Sequence, residues 1–243
     1  LERWNLGRTI GGEMTPPPPE DDPLGPPIDA VLAVAFSPDG SMLASGSGRA
    51  SRSGEIKLWK VSDGSLVRSL AQPHSDTVVA LAFSRDGKRL VSGGTDRFAK
   101  IHSVADGTTQ RSFEGHTGHV LAVAWQAHGR RLVTGGADHV VKVWAVDTGE
   151  QQRTIQGPGR EVTGVRFLGE GDEIVAAAGD TTIRVFNVAN GAELRQLAGA
   201  GDFVQSIAVV GLTMAAGCQD GRLRIWNVTE PNPLHAVELA PAE

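Results

Sequence analysis

Short apolar runs alternate with turn-forming residues along most of the chain. Residues 31–36, 78–83, 120–125 and 162–167 are mostly apolar and small, which favours strands that are buried on both faces. Residues 141–144 and 223–226 instead alternate apolar and polar side chains, as expected of a strand with one buried face. Proline, aspartate and glycine at 37–40, and aspartate and glycine at 84–87, favour tight turns between strands. The pattern predicts an all-β chain built from short antiparallel strands.

The strand pattern repeats with a period of about 40 residues, and each period contains four predicted strands. One aspartate marks equivalent positions in four of the periods: Asp96, Asp138, Asp180 and Asp220. Four short strands per period are typical of the blades of a β-propeller. The sequence therefore predicts five four-stranded blades within 30–243, with repeats at 30–74, 75–116, 117–158, 159–200 and 201–243.

The repeats resemble those of the WD40 family. The tryptophan of the WD dipeptide is matched by Trp59, Trp144 and Trp226, while His102 and Phe186 occupy its place in two repeats; the aspartate after it is not kept. The glycine-histidine element is intact at Gly115-His116 and altered at Pro73-His74. This resemblance implies a propeller that binds proteins and is not an enzyme.

The segments before the first full repeat extend this prediction. Residues 1–10 resemble the third and fourth strands of a blade, and residues 11–29 are a proline-rich loop between blades. Since WD40 propellers usually have about seven blades, we expect a fragment of a larger propeller.

The glycine- and serine-rich residues 46–54, within the first full repeat, predict a flexible, basic loop.

Composition narrows the function classes. With a net charge of -5, the chain lacks the excess of basic residues that is typical of proteins that bind nucleic acid. No apolar run is long enough for membrane insertion. The single cysteine, Cys218, excludes an internal disulfide and a cysteine-built metal site. We expect no cofactor and no small-molecule substrate.

The resemblance also implies a structural hydrogen-bond network of histidine, hydroxyl, aspartate and tryptophan inside a blade. The third repeat keeps all four members: His116, Thr134, Asp138 and Trp144. The second repeat keeps His74, Ser92 and Asp96 and has His102 in place of the indole. Such a buried network satisfies polar groups rather than forming a catalytic triad.

Partners of the family usually dock on the face where the loops between blades meet the loops between second and third strands. On that face the sequence offers five candidate anchors: Arg97, His119, His139, Arg160 and Phe203. An alternative function is a propeller enzyme or a metal-binding protein that uses His119 and His139. Because the network already claims His116 and Asp138, we expect no metal site.

The repeats further resemble bacterial WD40 arrays of the planctomycete type, which often accompany a c-type cytochrome domain. This resemblance implies an interaction scaffold within a larger polypeptide, or an accessory domain of a cytochrome-linked redox protein. An extracytoplasmic, periplasmic location follows by the same analogy, with a cytoplasmic one as the alternative. The identity of the protein partner is left open.

Overall fold

The computed structural model describes residues 30–49 and 53–238. The half blade predicted at 1–10 and the proline-rich loop predicted at 11–29 lie outside these residues. The described strands are β1 (Ala30–Phe36), β2 (Met42–Arg49), β3 (Ser53–Lys60), β4 (Leu66–His74), β5 (Val78–Phe83), β6 (Arg89–Gly94), β7 (Ala99–Ser103), β8 (Thr109–Phe113), β9 (Val120–Trp125), β10 (Arg131–Gly136), β11 (Val141–Ala145), β12 (Gln151–Ile155), β13 (Val162–Phe167), β14 (Glu173–Ala178), β15 (Ile183–Asn187), β16 (Glu193–Leu197), β17 (Val204–Val210), β18 (Thr213–Cys218), β19 (Arg222–Asn227) and β20 (His235–Glu238).

Each set of four consecutive strands forms one antiparallel sheet in simple up-and-down order. We number these sheets as blades one to five, from β1–β4 to β17–β20. In blade three, for example, Thr134 of β10 pairs with Val123 of β9 on one side and with Lys142 of β11 on the other. The all-β class and the five four-stranded blades are confirmed. Within the described part of the chain, no helix has the length and hydropathy needed to cross a bilayer.

Adjacent blades pack through their first strands, which follow one another in the order β1, β5, β9, β13 and β17. Glycines in the second strands permit this close approach. A Cβ atom added to Gly135 would lie 2.5 Å from Cγ1 of Val162, and one added to Gly93 would lie 2.8 Å from the carbonyl oxygen of Val120. The apolar clusters between blades therefore depend on small residues in β6 and β10 as well as on large ones.

The first strands differ in burial between the middle and the ends of the described array. Val123 and Trp125 of β9 are buried between neighbouring blades. Val34 and Phe36 at matching positions of β1 are each 63% exposed, and Val210 of β17 is 83% exposed. Among the described residues, no further blade covers the outer faces of blades one and five. The number of blades in the intact protein remains a prediction.

The expectation of a flexible loop at 46–54 is wrong for most of that segment. The ladder between β2 and β3 continues through Gly46 and Ile56 to Arg49 and Ser53. The added residues lengthen the hairpin because each one on β2 finds a backbone partner on β3. Only residues 50–52 of the segment lie outside the described part of the chain.

Candidate partner-binding face

Blade three contains a chain of hydrogen bonds that runs from its surface into its interior. Nδ1 of His116 lies 2.9 Å from both carboxylate oxygens of Asp138, and Nε2 lies 2.7 Å from Oγ1 of Thr134. The indole Nε1 of Trp144 donates to the same hydroxyl oxygen at 2.9 Å. The structure therefore brings all four predicted network residues together.

The directions of these bonds follow from the donors available. The indole can only donate, so the Thr134 hydroxyl accepts from Trp144 and gives its proton to Nε2 of His116. Nδ1 of His116 then carries the hydrogen that Asp138 accepts. Burial lowers the pKa of His116, although Asp138 opposes the shift. The imidazole is neutral, and both of its nitrogens are used within the protein.

Blade two builds the same chain with a different last member. His74 lies between Asp96, at 2.8 Å, and the Ser92 hydroxyl, at 2.7 Å. The ring of His102 replaces the indole, with Nε2 only 2.8 Å from Oγ of Ser92, and its Nδ1 accepts from Thr109 at 3.1 Å. Burial, with repulsion from His74 and Lys100, lowers the pKa of His102 to about 3. His102 is thus a neutral donor in the place of tryptophan.

The remaining blades satisfy or remove the same polar groups in other ways. In blade one, Trp59 donates to the Ser45 hydroxyl at 2.8 Å. Blade four has Ala176 and Phe186 at the hydroxyl and indole positions, so neither polar group is present. In blade five, Trp226 donates to the backbone carbonyl of Ala198 at 3.0 Å. A serine or threonine is therefore present at the hydroxyl position only where a tryptophan or histidine side chain donates a hydrogen bond to it.

Blades four and five neutralise their aspartates with arginine rather than histidine. Asp180 accepts Nη2 of Arg184 at 2.7 Å, and Asp220 accepts Nη1 of Arg224 at 3.0 Å. In both pairs the arginine comes four residues after the aspartate. The equivalent lysine of blade three, Lys142, contacts Gln151 and Thr154 instead. The arginines were not identified from sequence, although their exchange with lysine follows the loss of the network histidine.

These aspartates hold the loops of the candidate face. The backbone N–H groups of Thr117 and Gly159 donate to Asp138 and Asp180, respectively. A second tie recurs in four blades, where the residue directly after the second strand donates its backbone N–H to the carbonyl of the residue directly before the first strand: Thr95 to Thr77, Ala137 to His119, Gly179 to Glu161 and Gln219 to Phe203. The predicted loops therefore meet at one end of the blades.

Four of the predicted anchors project from this end into solvent: Arg97, His119, His139 and Arg160. Phe203 is half-buried because its ring packs on Gly179, where an added Cβ would lie 2.5 Å from Cε2. Arg160 approaches the carboxylate of Glu161 at 3.5 Å. The five residues share one face, with Phe203 contributing less surface than the other four.

Three residues of the face have left-handed backbone conformations that sequence reasoning did not identify. Arg97, His139 and Thr181 have φ angles of 73°, 66° and 64° at equivalent turns, where blade five has Gly221 with a φ of 74°. A side chain at such an angle costs about 1 kcal/mol or more relative to glycine. Only the comparison of backbone angles between blades reveals this shared strain.

The face offers little for catalysis or metal binding. Among residues 30–49 and 53–238, no group of three or more histidine, cysteine, aspartate or glutamate side chains could hold a metal ion. His116 and Asp138 are bonded to each other, which leaves His119 and His139 as the nearby imidazoles. The arrangement is a rigid, loop-built surface with exposed cationic and imidazole side chains.

Comparison with known proteins places this geometry in a family. The model of the WD domain, G-beta repeat, matches residues 27–60, 64–103, 107–145 and 149–187, which together exceed half of the chain. A comparison with curated protein sequences gives no significant match.

Two solved structures have the same architecture. The structure of U3-55K has a TM-score of 0.78 and 25% sequence identity and covers 87% of this chain and 65% of that chain. The crystal structure of the RRP9 WD40 repeats has a TM-score of 0.78 and 26% identity and covers 87% and 64%. This chain thus spans slightly less than two thirds of the length of either.

Proposed function

The chain belongs to the WD40 repeat family, whose propellers typically serve as protein-interaction scaffolds, and from this premise we propose that it binds a protein partner on the face described above. The anchors are Arg97, His119, His139, Arg160 and Phe203, together with Thr181. The partner contacts the turns between second and third strands and the loops that enter each blade.

The main support for this proposal is the left-handed backbone conformation of Arg97, His139 and Thr181. Glycine fits a φ near 70° without steric cost, and blade five uses Gly221 there. Three other blades keep arginine, histidine or threonine at the same turn, despite the strain. Strain of this kind is retained at sites where the side chain has a task, such as contact with a ligand or partner.

The network below the face explains how the anchors are held. Asp96 and Asp138 each accept a backbone N–H from the entering loop and a hydrogen from a buried histidine. The turns that carry Arg97 and His139 begin at these aspartates. Such support limits the loss of conformational freedom on binding, which favours affinity.

Glycine substitution tests the proposal because it separates binding from stability. We expect the variant Arg97→Gly/His139→Gly/Thr181→Gly to keep or raise stability, by about 1 kcal/mol, because it relieves backbone strain. Partners that co-purify with the intact protein from its source cells should be lost at least about tenfold, as for the loss of interface anchors. Urea unfolding and quantitative mass spectrometry measure the two effects.

The matched control is His128→Gly/Arg130→Gly, which removes similar side chains from the turn between β9 and β10 at the other end of blade three. It should retain the same partners. Equal partner recovery by the wild-type protein and the triple-glycine variant would contradict the proposal. The metal-binding alternative requires a stoichiometric site for zinc or copper in calorimetry that disappears in His119→Ala and His139→Ala.

The resemblance to planctomycete arrays extends the proposal to a larger polypeptide with an extracytoplasmic location. The full reading frame tests both parts, since it would reveal further blades, a cytochrome domain or an export signal. These parts can fail without affecting the binding face.

A further inference from the structure

A cavity of about 630 Å³ opens at the opposite end of the blades from the candidate partner-binding face. It lies where the first strands finish, and four aromatic side chains at equivalent positions line it: Phe36, Phe83, Trp125 and Phe167. These residues end β1, β5, β9 and β13. Trp125 is held in place because its indole donates to the carbonyl of Ala82 at 3.0 Å. We refer to this cavity as the strand-end cavity.

The strand-end cavity also contains an arginine that has no ionic partner in the part of the chain that the structure describes. Arg166 lies on β13 and lines the cavity, and its Nη1 donates to the carbonyl of Val165 at 2.7 Å. No ion pair joins Arg166 to a carboxylate within residues 30–49 and 53–238. Surrounding protein desolvates the guanidinium enough to lower its pKa, yet it stays charged because an arginine pKa remains far above neutrality. The side chain is exposed to solvent, so its positive charge is available to an incoming anion.

A second arginine at the rim is already paired. Arg85, in the turn after β5, forms an ion pair with Glu170, in the turn after β13. This pair links blades two and four across the mouth of the cavity, and both side chains are more than half exposed. Exposed ion pairs contribute little to stability, so an incoming carboxylate can replace Glu170 at low cost.

From this arrangement we infer that the strand-end cavity docks an acidic segment of a partner protein. A carboxylate of the segment pairs with Arg166, and a neighbouring aromatic or aliphatic side chain packs on Phe36, Phe83 and Phe167. Arg85 exchanges Glu170 for a second carboxylate of the same segment. The site is separate from the candidate partner-binding face, so neither proposal depends on the other.

Charge and shape favour this occupant. The chain carries a net charge of -5, so it does not attract acidic segments in general. The local exception is Arg166, whose charge the described residues leave unneutralised. Phe83 and Phe167, in blades with neighbours on both sides, are half-buried and line the cavity, and an apolar surface of that kind beside a cation matches a segment that combines both chemistries.

Selection from a random peptide library tests the inference although the partner is unidentified. Phage-displayed random dodecapeptides are selected on the full chain, and the enriched sequences are synthesised with a fluorescent label. We expect them to contain aspartate or glutamate next to an aromatic or aliphatic residue. In fluorescence anisotropy, Arg166→Gln should weaken their binding at least about tenfold, because it removes the cation that pairs with the carboxylate of the peptide.

Two further variants make the test specific. Glu170→Gln should tighten binding by about threefold, since it removes a competing carboxylate from the cavity mouth. Arg166→Lys should retain part of the affinity, because it keeps the charge but loses the planar fork. If Arg166→Gln does not give a cooperative unfolding transition, the comparison of Glu170→Gln and Arg166→Lys with wild type decides.

Several outcomes would overturn the inference. One is an enriched set without acidic residues, or the absence of any enriched set. Another is an affinity that Arg166→Gln leaves unchanged but the triple-glycine variant abolishes, which would assign the peptides to the candidate partner-binding face. A tenfold gain in Glu20→Gln/Asp21→Asn/Asp22→Asn would identify the chain's own acidic run as the occupant instead of a partner.

Discussion

Blades two and three differ from blades four and five in how far the hydrogen bonds of their equivalent aspartates extend into the interior of the blade. In blade three, Asp138 begins a chain of bonds through His116 and Thr134 to Trp144, which joins the entering loop to β10 and β11. In blade four, Asp180 bonds Arg184 within the same hairpin. The first arrangement continues into the interior of the blade, whereas the second stays with the hairpin and the loop that enters the blade.

The difference shows that one aspartate can serve two kinds of blade. When the histidine is present, the lysine four residues after the aspartate hydrogen-bonds other partners: Lys142 donates to Gln151, and Lys100 donates to the carbonyl of Pro73 and stays 3.9 Å from Asp96. When the histidine is absent, arginine at the same position supplies the donors. The loop tie survives in both cases, because Thr117 and Gly159 each donate a backbone N–H to their aspartate.

The largest expected effect comes from removing the aspartate itself. Asp138→Ala should lower the free energy of unfolding by about 3 kcal/mol, because it leaves a buried imidazole N–H without an acceptor. Asp180→Ala should lower the free energy of unfolding by about 1 kcal/mol. Arg184 keeps its ion pair with Glu193, with Nε 3.6 Å from the carboxylate, and can reach solvent. Urea unfolding of the two variants measures both. Equal losses would show that the histidine network adds nothing to the blade.

An intermediate effect is expected from pH in blade two. Unfolded His102 takes up a proton below pH 6.5, whereas burial keeps the folded pKa at about 3. The unfolded state binds the proton first as pH falls, so the stability due to neutral His102 is present above pH 6.5 and is lost towards pH 3. His102→Trp should reduce this pH slope by at most about 1.4 kcal/mol per pH unit.

The control for the pH experiment is His128→Gln, which removes an exposed histidine. The slope should stay as in wild type for this variant. Unfolding free energies measured across the same pH window compare the three proteins. A slope that His102→Trp leaves intact would show that other groups account for the acid sensitivity of the protein.

The smallest effect should come from exchanging arginine and lysine between blades. Arg184→Lys should cost about 0.5–1 kcal/mol, because lysine cannot reproduce the forked contacts with Asp180. Lys142→Arg should give no gain, since His116 already occupies Asp138. Thermal unfolding of both variants measures the asymmetry. A stabilised Lys142→Arg would mean that arginine competes with histidine for the aspartate.

The sequence predicts the residues of the hydrogen-bond network but not all of the hydrogen bonds between them. Spacing places His116, Thr134, Asp138 and Trp144 at matching positions of a repeat, and the structure joins them. The substitution of Trp by His102 resembles a loss in the sequence, yet the ring donates to Ser92 as an indole would. The sequence does not reveal this because the tautomer of His102 depends on the neighbours that pack around it.

The same limit applies to the surfaces. Exposed loop positions such as Arg97 and His139 follow from the repeat pattern, but their left-handed backbone is known only from the fold. The strand-end cavity was not identified from sequence, because Phe36, Phe83, Trp125 and Phe167 have the same pattern as ordinary core residues. Arg166 is equally inconspicuous until the packing shows that it forms no ion pair with a carboxylate among the described residues.

The sequence by itself determined the all-β class, the four-stranded period and the positions of the blades, because strand alternation and turn residues are local properties that recur in every repeat. Tertiary structure alone decided which polar groups find partners. Those partners come from strands and loops far apart in the chain, as His116 and Thr134 do, and their geometry depends on how neighbouring blades pack. The blades can therefore be predicted from the sequence, whereas the chemistry at their two ends cannot.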